Sequence, residues 1–197
     1  MPSGSDGAED AADQPGRLLW VLRHAKAVAD PPPGGTDHDR PLAPRGRRDA
    51  EALGRRLAAA ADRLGFEPAD LPRVVLCSTA RRAAETAERV LAAGLGAAGA
   101  TPDLRHRLYQ ASPEEVLEEV RTVDDAVPSV MVVGHNPTLG RLVVAMIADD
   151  DEPGRRSLGE GAFPTCGLAV YRLPAGRWQD VAAGTGAMAG WWSPPYE

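Results

Sequence analysis

Lysine is almost missing from this chain: of its 22 basic residues, arginine supplies all but one, and the exception is Lys26. Surplus positive charge is missing too. A formal net charge of −6 argues against a general nucleic-acid binder, because such proteins need excess cations to displace counterions from phosphates. Any phosphate site must therefore be local. No apolar run approaches the roughly 20 residues that cross a bilayer, so no membrane partner is expected. The segment Met1 to Gly16 has neither the basic start nor the apolar stretch of a signal peptide; it reads as a disordered leader, and the protein as cytoplasmic. The two cysteines, Cys77 and Cys166, lie in apolar strand-like runs and read as buried free thiols. Histidines and carboxylates do not cluster at ligand spacing, so neither a metal nor another cofactor is expected. The sequence leaves oligomeric state open.

What is present suits one domain over residues 17–197: 43% hydrophobic and 25% charged residues, in a length that can bury a sizeable core. Leu18 to Leu22 is an apolar run bounded by charge, read as a strand buried on both faces, and it opens into Arg23-His24-Ala25-Lys26. The proline- and glycine-rich stretch Ala27 to Arg40 is a loop. From Pro44 to Leu64 apolar residues recur at helical spacing, with Gly65 as the stop. Val74 to Cys77 reads as a second strand, and Thr79 to Ala93 as a helix closed by Gly94. Thr101 to Leu104 is a third strand. Ser112-Pro113-Glu114-Glu115 starts a helix that runs to Thr122, with a capping hydroxyl and Glu115 placed to reach back. Ser129 to Val133 is a fourth strand, followed by Gly134-His135-Asn136-Pro137 and a helix from Thr138 to Ile147. Asp149 to Pro164 reads as a solvated connection. Cys166–Leu173 and Trp178–Ala183 read as an antiparallel pair, with Trp178, Trp191 and Trp192 packed on the sheet edge. This alternation predicts a three-layer α/β/α sandwich, its central sheet mostly parallel with an antiparallel C-terminal edge.

Three of these strands end in residues suited to phosphate: Arg23-His24, Arg81-Arg82 and His135. In a parallel sheet those ends open on one edge, where α/β proteins place ligands. A neutral imidazole attacks phosphorus through one ring nitrogen when the proton on the other is held, for instance by a backbone carbonyl. Guanidinium groups offer paired donors to the oxygens of a phosphoryl group in flight, and a second imidazole adds another. His24 is thus the candidate nucleophile, with Arg23, Arg82 and His135 around the phosphoryl group and Lys26 and Asn136 as further substrate-binding residues.

Arg23-His24, Ser78-Thr79-Ala80-Arg81-Arg82-Ala83-Ala84-Glu85-Thr86 and Val133-Gly134-His135-Asn136-Pro137, in this order and each after a strand, resemble the histidine phosphatase superfamily, also called phosphoglycerate-mutase-like. The family pattern, in which the arginine precedes Ala and stands four residues before Thr, selects Arg82 over Arg81. Finer features resemble the small phosphohistidine phosphatases of the SixA type: Arg23-His24-Ala25-Lys26, Asp39-Arg40-Pro41-Leu42 and Leu108-Tyr109-Gln110-Ala111-Ser112. The resemblance implies a phosphorylated substrate, for that group a phosphohistidine protein, and a covalent phosphohistidine intermediate on His24. Mutase-like members carry a Glu general acid after the third strand; here Gln110 follows Tyr109. An alkoxide leaving group, with a conjugate acid of pKa about 15, needs a proton in flight, whereas imidazole, with a conjugate acid near about 6.5, leaves as a neutral ring. The gap is consistent with a phosphoramidate substrate. Asp37, His38 and Asp39 stay open as an alternative acid. So do two other readings, a broad small-molecule phosphomonoesterase and a catalytically silent phosphate-binding module, although a silent module has no need of His24.

Overall fold

The apolar run at Leu18 has buried neighbours on both sides and both faces. In the computed structural model, which describes residues 16–61, 65–158 and 163–196, it forms β1 (Leu18–Arg23). Parallel β4 (Ser129–Gly134) lies on one side of it and antiparallel β5 (Leu168–Arg172) on the other. The leader expected over Met1 to Gly16 lies, except for Gly16, outside the described residues. Side chains of β1 alternate between two cores. Leu18, Trp20 and Leu22 join the core under α1 (Pro44–Ala60) and α2 (Arg81–Val90), while Leu19 and Val21 join that under α3 (Pro113–Arg121) and α4 (Thr138–Met146). The two-residue period of a strand thus builds both layers at once. No described helix is long and apolar enough to cross a membrane.

With β2 (Val74–Ser78), β3 (Pro102–Arg105) and β6 (Ala187–Trp192), the six-stranded order is β3-β2-β4-β1-β5-β6. The chain moves outward from β1 to β2 and β3 through α1 and α2, then returns to β4 through α3. Parallel crossovers are right-handed, so reversing the direction of travel puts the helices on the opposite face. The loops after the adjacent strands β1 and β4 therefore diverge, α1 on one face and α4 on the other. The crevice between their carboxyl ends is the topological switch point, where such sheets bind ligands. This is the α/β/α sandwich with an antiparallel edge that the sequence predicts.

Local signals set several boundaries. Ser112 accepts the Glu115 amide at 3.3 Å and the Glu115 carboxylate accepts the Ser112 amide at 2.7 Å, the reciprocal cap expected there. Gly94, with φ of 105°, ends the widened last turn that follows α2. Three expectations are corrected. The partner of β5 is β6, not Trp178–Ala183. Trp178 is instead a fully buried plug that starts a short 3-10 turn, its amide donating to Asp125 at 2.8 Å and its indole to Val127 O at 2.7 Å. That amide is thereby lost to any ladder. The connection after Asp149 contains a helix, α5 (Glu152–Leu158). Asp151 caps it through the Gly154 amide and also holds the Met188 amide of β6, so one carboxylate organises two elements. Finally, Thr79 precedes the helix that begins at Arg81, and α1 ends at Ala60, before residues 62–64, which lie outside the described residues.

Candidate active site

His24 is the first residue beyond β1, and its backbone is fixed on two sides. Its amide donates to Gly134 O at 3.0 Å, at the end of β4, and its carbonyl accepts the Cys166 amide at 3.1 Å. Cys166 adopts a left-handed conformation, φ 61°, to make this approach just before β5. The imidazole Nδ1 lies 2.8 Å from the Ala25 carbonyl. A carbonyl only accepts, so Nδ1 carries the proton and Nε2 keeps its lone pair. The next amide, Ala25, donates to Thr86 Oγ1 at 3.0 Å, and that hydroxyl donates to Arg82 O at 2.6 Å. One threonine on α2 therefore locks the His24 loop to the helix that carries Arg82.

Arg23, His24, Lys26, Arg40, Arg82, His135, Asn136 and Thr165 line one cleft of about 310 Å³ together with Ala27. All six residues singled out from the sequence are brought together there. The His24 and His135 rings lie 5.0 Å apart, centroid to centroid, across the switch point. Each of the four central side chains is anchored at one nitrogen and left without a hydrogen-bond partner at another among the described residues, the lone pair of Nε2 in His24 and a donor in the other three. Arg23 Nη1 donates to Phe163 O at 2.6 Å, while its buried Nε has no partner. Arg82, at the start of α2, donates from Nη1 to Asp37 O at 2.7 Å and from Nη2 to Asp37 Oδ2 at 3.0 Å, and its Nε too is buried and unpartnered. His135 Nε2 is 2.8 Å from Ser78 Oγ, leaving Nδ1 buried and alone. Burying an unpaired polar group costs about 1–3 kcal/mol, a cost that an acceptor entering the cleft would remove.

Burial lowers the pKa of both imidazoles, and the neighbouring cations push further in the same direction. His24 falls to about 4, with Arg82, Arg23 and Arg40 adding to desolvation and the Ala25 hydrogen bond opposing it. His135 falls to about 3 through burial and then through the proximity of His24 and Arg82. Both rings are neutral near pH 7.

Arg81 and Arg82, adjacent in sequence, part company in space. Arg81 is exposed and paired with Glu85 at 2.8 Å, whereas Arg82 is buried in the cleft wall. Lys26 lines the cleft as an exposed cation. Asn136 lines it as well, but its amide donates to Phe163 O at 2.9 Å and accepts the Gly140 amide at 3.1 Å, so it also fixes Arg23's anchor and the start of α4. Arg40 is a cleft residue that the sequence reading did not assign. Its motif, Asp39-Arg40-Pro41-Leu42, was visible, but a loop has no periodicity from which to place a side chain 16 residues from His24. Of the three groups left open as an acid, Asp37 feels some desolvation, but hydrogen bonds from Arg40 and Tyr109 and the charge of Arg82 outweigh it and hold it at about 2. Asp39 is lowered by the Thr36 amide and hydroxyl. Both are carboxylates at neutral pH with no proton to give. His38 Nε2 lies 3.0 Å from Thr79 Oγ1 and outside the cleft lining.

A family model described as "Histidine phosphatase superfamily (branch 1)" matches residues 19–126. The uncharacterized protein Rv1276c of Mycobacterium tuberculosis is 42% identical over 179 residues, covering 88% of this chain and 99% of the relative. Among solved structures, a candidate phosphohistidine phosphatase SixA from Nakamurella multipartitia superposes with a TM-score of 0.70 at 30% identity, covering 92% of this chain and 99% of that one. A second candidate SixA, from Agrobacterium tumefaciens, gives 0.67 at 31% identity over 90% and 99% of the two chains.

Proposed function

The chain belongs to the histidine phosphatase superfamily, and on that premise we propose that it removes phosphoryl groups through a covalent intermediate on His24, with phosphohistidine as its preferred substrate. The observation that carries this reading is the His24 imidazole. Its Nδ1 proton is spent on the Ala25 carbonyl, and its Nε2 has no hydrogen-bond partner among the described residues. The cleft around it is lined by Arg23, Lys26, Arg40 and Arg82. Nε2 attacks phosphorus, the bond to the leaving group breaks with its electron pair going to that group, and water then hydrolyses the phosphohistidine to regenerate the free ring. Arg23 and Arg82 offer their unpartnered Nε–H groups to the phosphoryl oxygens. With the Ser78 hydroxyl donating to His135 Nε2, Nδ1–H of His135 becomes a further donor. Positive charge comes from side chains, and the reading calls for no metal.

The leaving group follows from what lines the cleft. No carboxylic acid is among the described lining residues, and Asp37, in contact with Arg82, is ionised. An alkoxide would depart unprotonated, whereas a phosphohistidine ring that carries a proton on its other nitrogen departs as a neutral imidazole without an acid in the cleft. This supports a phosphoramidate substrate such as a phosphohistidine protein, ahead of a general phosphomonoester.

The test is to incubate the protein with a ³²P-labelled phosphohistidine protein, with p-nitrophenyl phosphate and with a sugar phosphate, and to quench early. We expect an acid-labile, alkali-stable label on the enzyme, absent in His24→Ala, and turnover of phosphohistidine well above that of the sugar phosphate. Equal rates on the two substrates would remove the substrate preference. Turnover that survives His24→Ala would remove the mechanism, and absence of any turnover would leave only a phosphate-binding module.

A further inference from the structure

Asp37 sits in none of the three motifs, yet it contacts more of the cleft's cationic wall than any residue within them. It opens a short 3-10 turn, Asp37–Asp39, in the loop between β1 and α1. Its carbonyl accepts Arg82 Nη1 at 2.7 Å, and its Oδ2 accepts both Arg82 Nη2 at 3.0 Å and the Tyr109 hydroxyl at 3.0 Å. Its Oδ1 accepts Arg40 Nε at 2.8 Å, and Arg40 is held further by Val28 O, also at 2.8 Å. Two of the cleft's arginines, from different elements, thus converge on one carboxylate.

Such a carboxylate could act as an acid, as an internal anion that competes with substrate, or as a clamp. Ionisation disposes of the first role. The geometry separates the other two. A competitor would take the edge of Arg82 that the phosphoryl group needs and would have to swing away. Asp37 instead takes the end-on edge, Nη1 and Nη2, and leaves Nε unpartnered. Half of its grip is a main-chain carbonyl, which no side-chain rotation withdraws. The turn itself is stapled in place: Thr36 donates its amide and its hydroxyl to Asp39, each at 2.8 Å, and His38 Nε2 meets Thr79 Oγ1 on the far side. The Arg82 side chain is only 7% exposed, so it too is confined, whereas the Asp37 carboxylate, 55% exposed, forms the outer lip of the arrangement.

We propose that Asp37 is a positioning residue: it fixes the outer edges of Arg82 and Arg40 so that their remaining donors face the phosphoryl group, and it touches neither substrate nor reacting atoms. The proposal rests on the phosphatase reading above. Its logic is preorganisation, since a guanidinium that must search for its rotamer at the moment of transfer gives up much of its electrostatic advantage. Tyr109 is the second support of the same clamp. Its hydroxyl braces Oδ2 while its ring stands edge-on to His135, the centroids 5.6 Å apart.

The test compares wild type with Asp37→Ala, Asp37→Asn and Tyr109→Phe, reading the dissociation constant of inorganic phosphate by calorimetry, kcat and KM on aryl and alkyl phosphates, and thermal melting. Asp37→Ala should weaken phosphate binding by about tenfold and lower kcat by a further factor on the order of ten, equally on aryl and alkyl esters. Asp37→Asn keeps one side-chain oxygen acceptor and should restore part of both, and Tyr109→Phe should reproduce the loss more mildly while leaving the fold intact. Tighter phosphate binding in Asp37→Ala would make the carboxylate a competitor and overturn the proposal. A loss confined to alkyl esters would make it an acid and overturn it as well, as would unchanged constants in all three variants. Should wild type itself neither bind phosphate nor turn over, the phosphatase reading fails; should wild type do both while the variants match it, only the role of Asp37 fails.

Discussion

Acid should destabilise this protein through its two cleft imidazoles, and the size of the effect can be worked out. An unperturbed histidine titrates near 6.5, whereas His24 and His135 are held at about 4 and about 3 in the fold. Between those values the unfolded chain takes up protons that the folded chain refuses, so stability rises with pH there and falls as the solution is acidified. The slope is about 1.36 kcal/mol per pH unit for each such group. At pH 5 both rings remain neutral in the folded state, so their mutual repulsion does not enter, and each costs about 2 kcal/mol relative to neutral pH. Together they remove about 4 kcal/mol, a large share of the 5–15 kcal/mol typical of a domain. The assay is urea denaturation at pH 7 and pH 5 for wild type and His24→Ala. The variant has one fewer protonation to refuse, and its loss on acidification should be about 2 kcal/mol smaller. Other titrating groups are shared and cancel in the difference. Parallel losses in the two proteins would show that His24 is not held neutral by its burial beside three arginines, and the electrostatic account of the nucleophile would go with it.

Two neighbouring arginines supply a second test. Arg82→Ala should cost on the order of a hundredfold in kcat/KM, as loss of a preorganised oxyanion donor does, while Arg81→Ala, which removes only an exposed pair with Glu85, should stay within a few-fold of wild type. The reverse ranking in steady-state kinetics would refute the assignment of the cleft wall. A third test concerns packing. A Cβ at Gly46 would stand 2.1 Å from the Lys26 carbonyl, so Gly46→Ala must push the start of α1 away from the loop after His24. We expect lower activity and a loss of a few kcal/mol, on the order of other overpacking substitutions, read by kinetics and denaturation together. A fully active and equally stable variant would show that this contact is unimportant.

Strand and helix alternation, the Ser112 cap, the stop at Gly94 and three polar motifs at strand ends could all be read from sequence. Each depends on residues within a few positions of one another, where the periods of 2 and 3.6 and the capping geometry operate. The same locality explains the misreading near the C-terminus. Trp178 and Val181 are residue types that favour strands, but a large indole with a buried partner for its N–H serves as a plug, while the real edge strand, Ala187–Trp192, is diluted with Ala and Gly. What sequence determined, then, was the set of chemical groups and the elements bearing them. The choice of Arg82 over Arg81 was already implied by the motif, but tertiary structure alone decided that Arg40 enters the cleft and that Asp37 grips a guanidinium 45 positions further along the chain. The direction of crossover, reversing between β3 and β4, opens the crevice in which His24 and His135 meet, and a contact of that kind is set by how layers pack, which no short stretch of residues encodes.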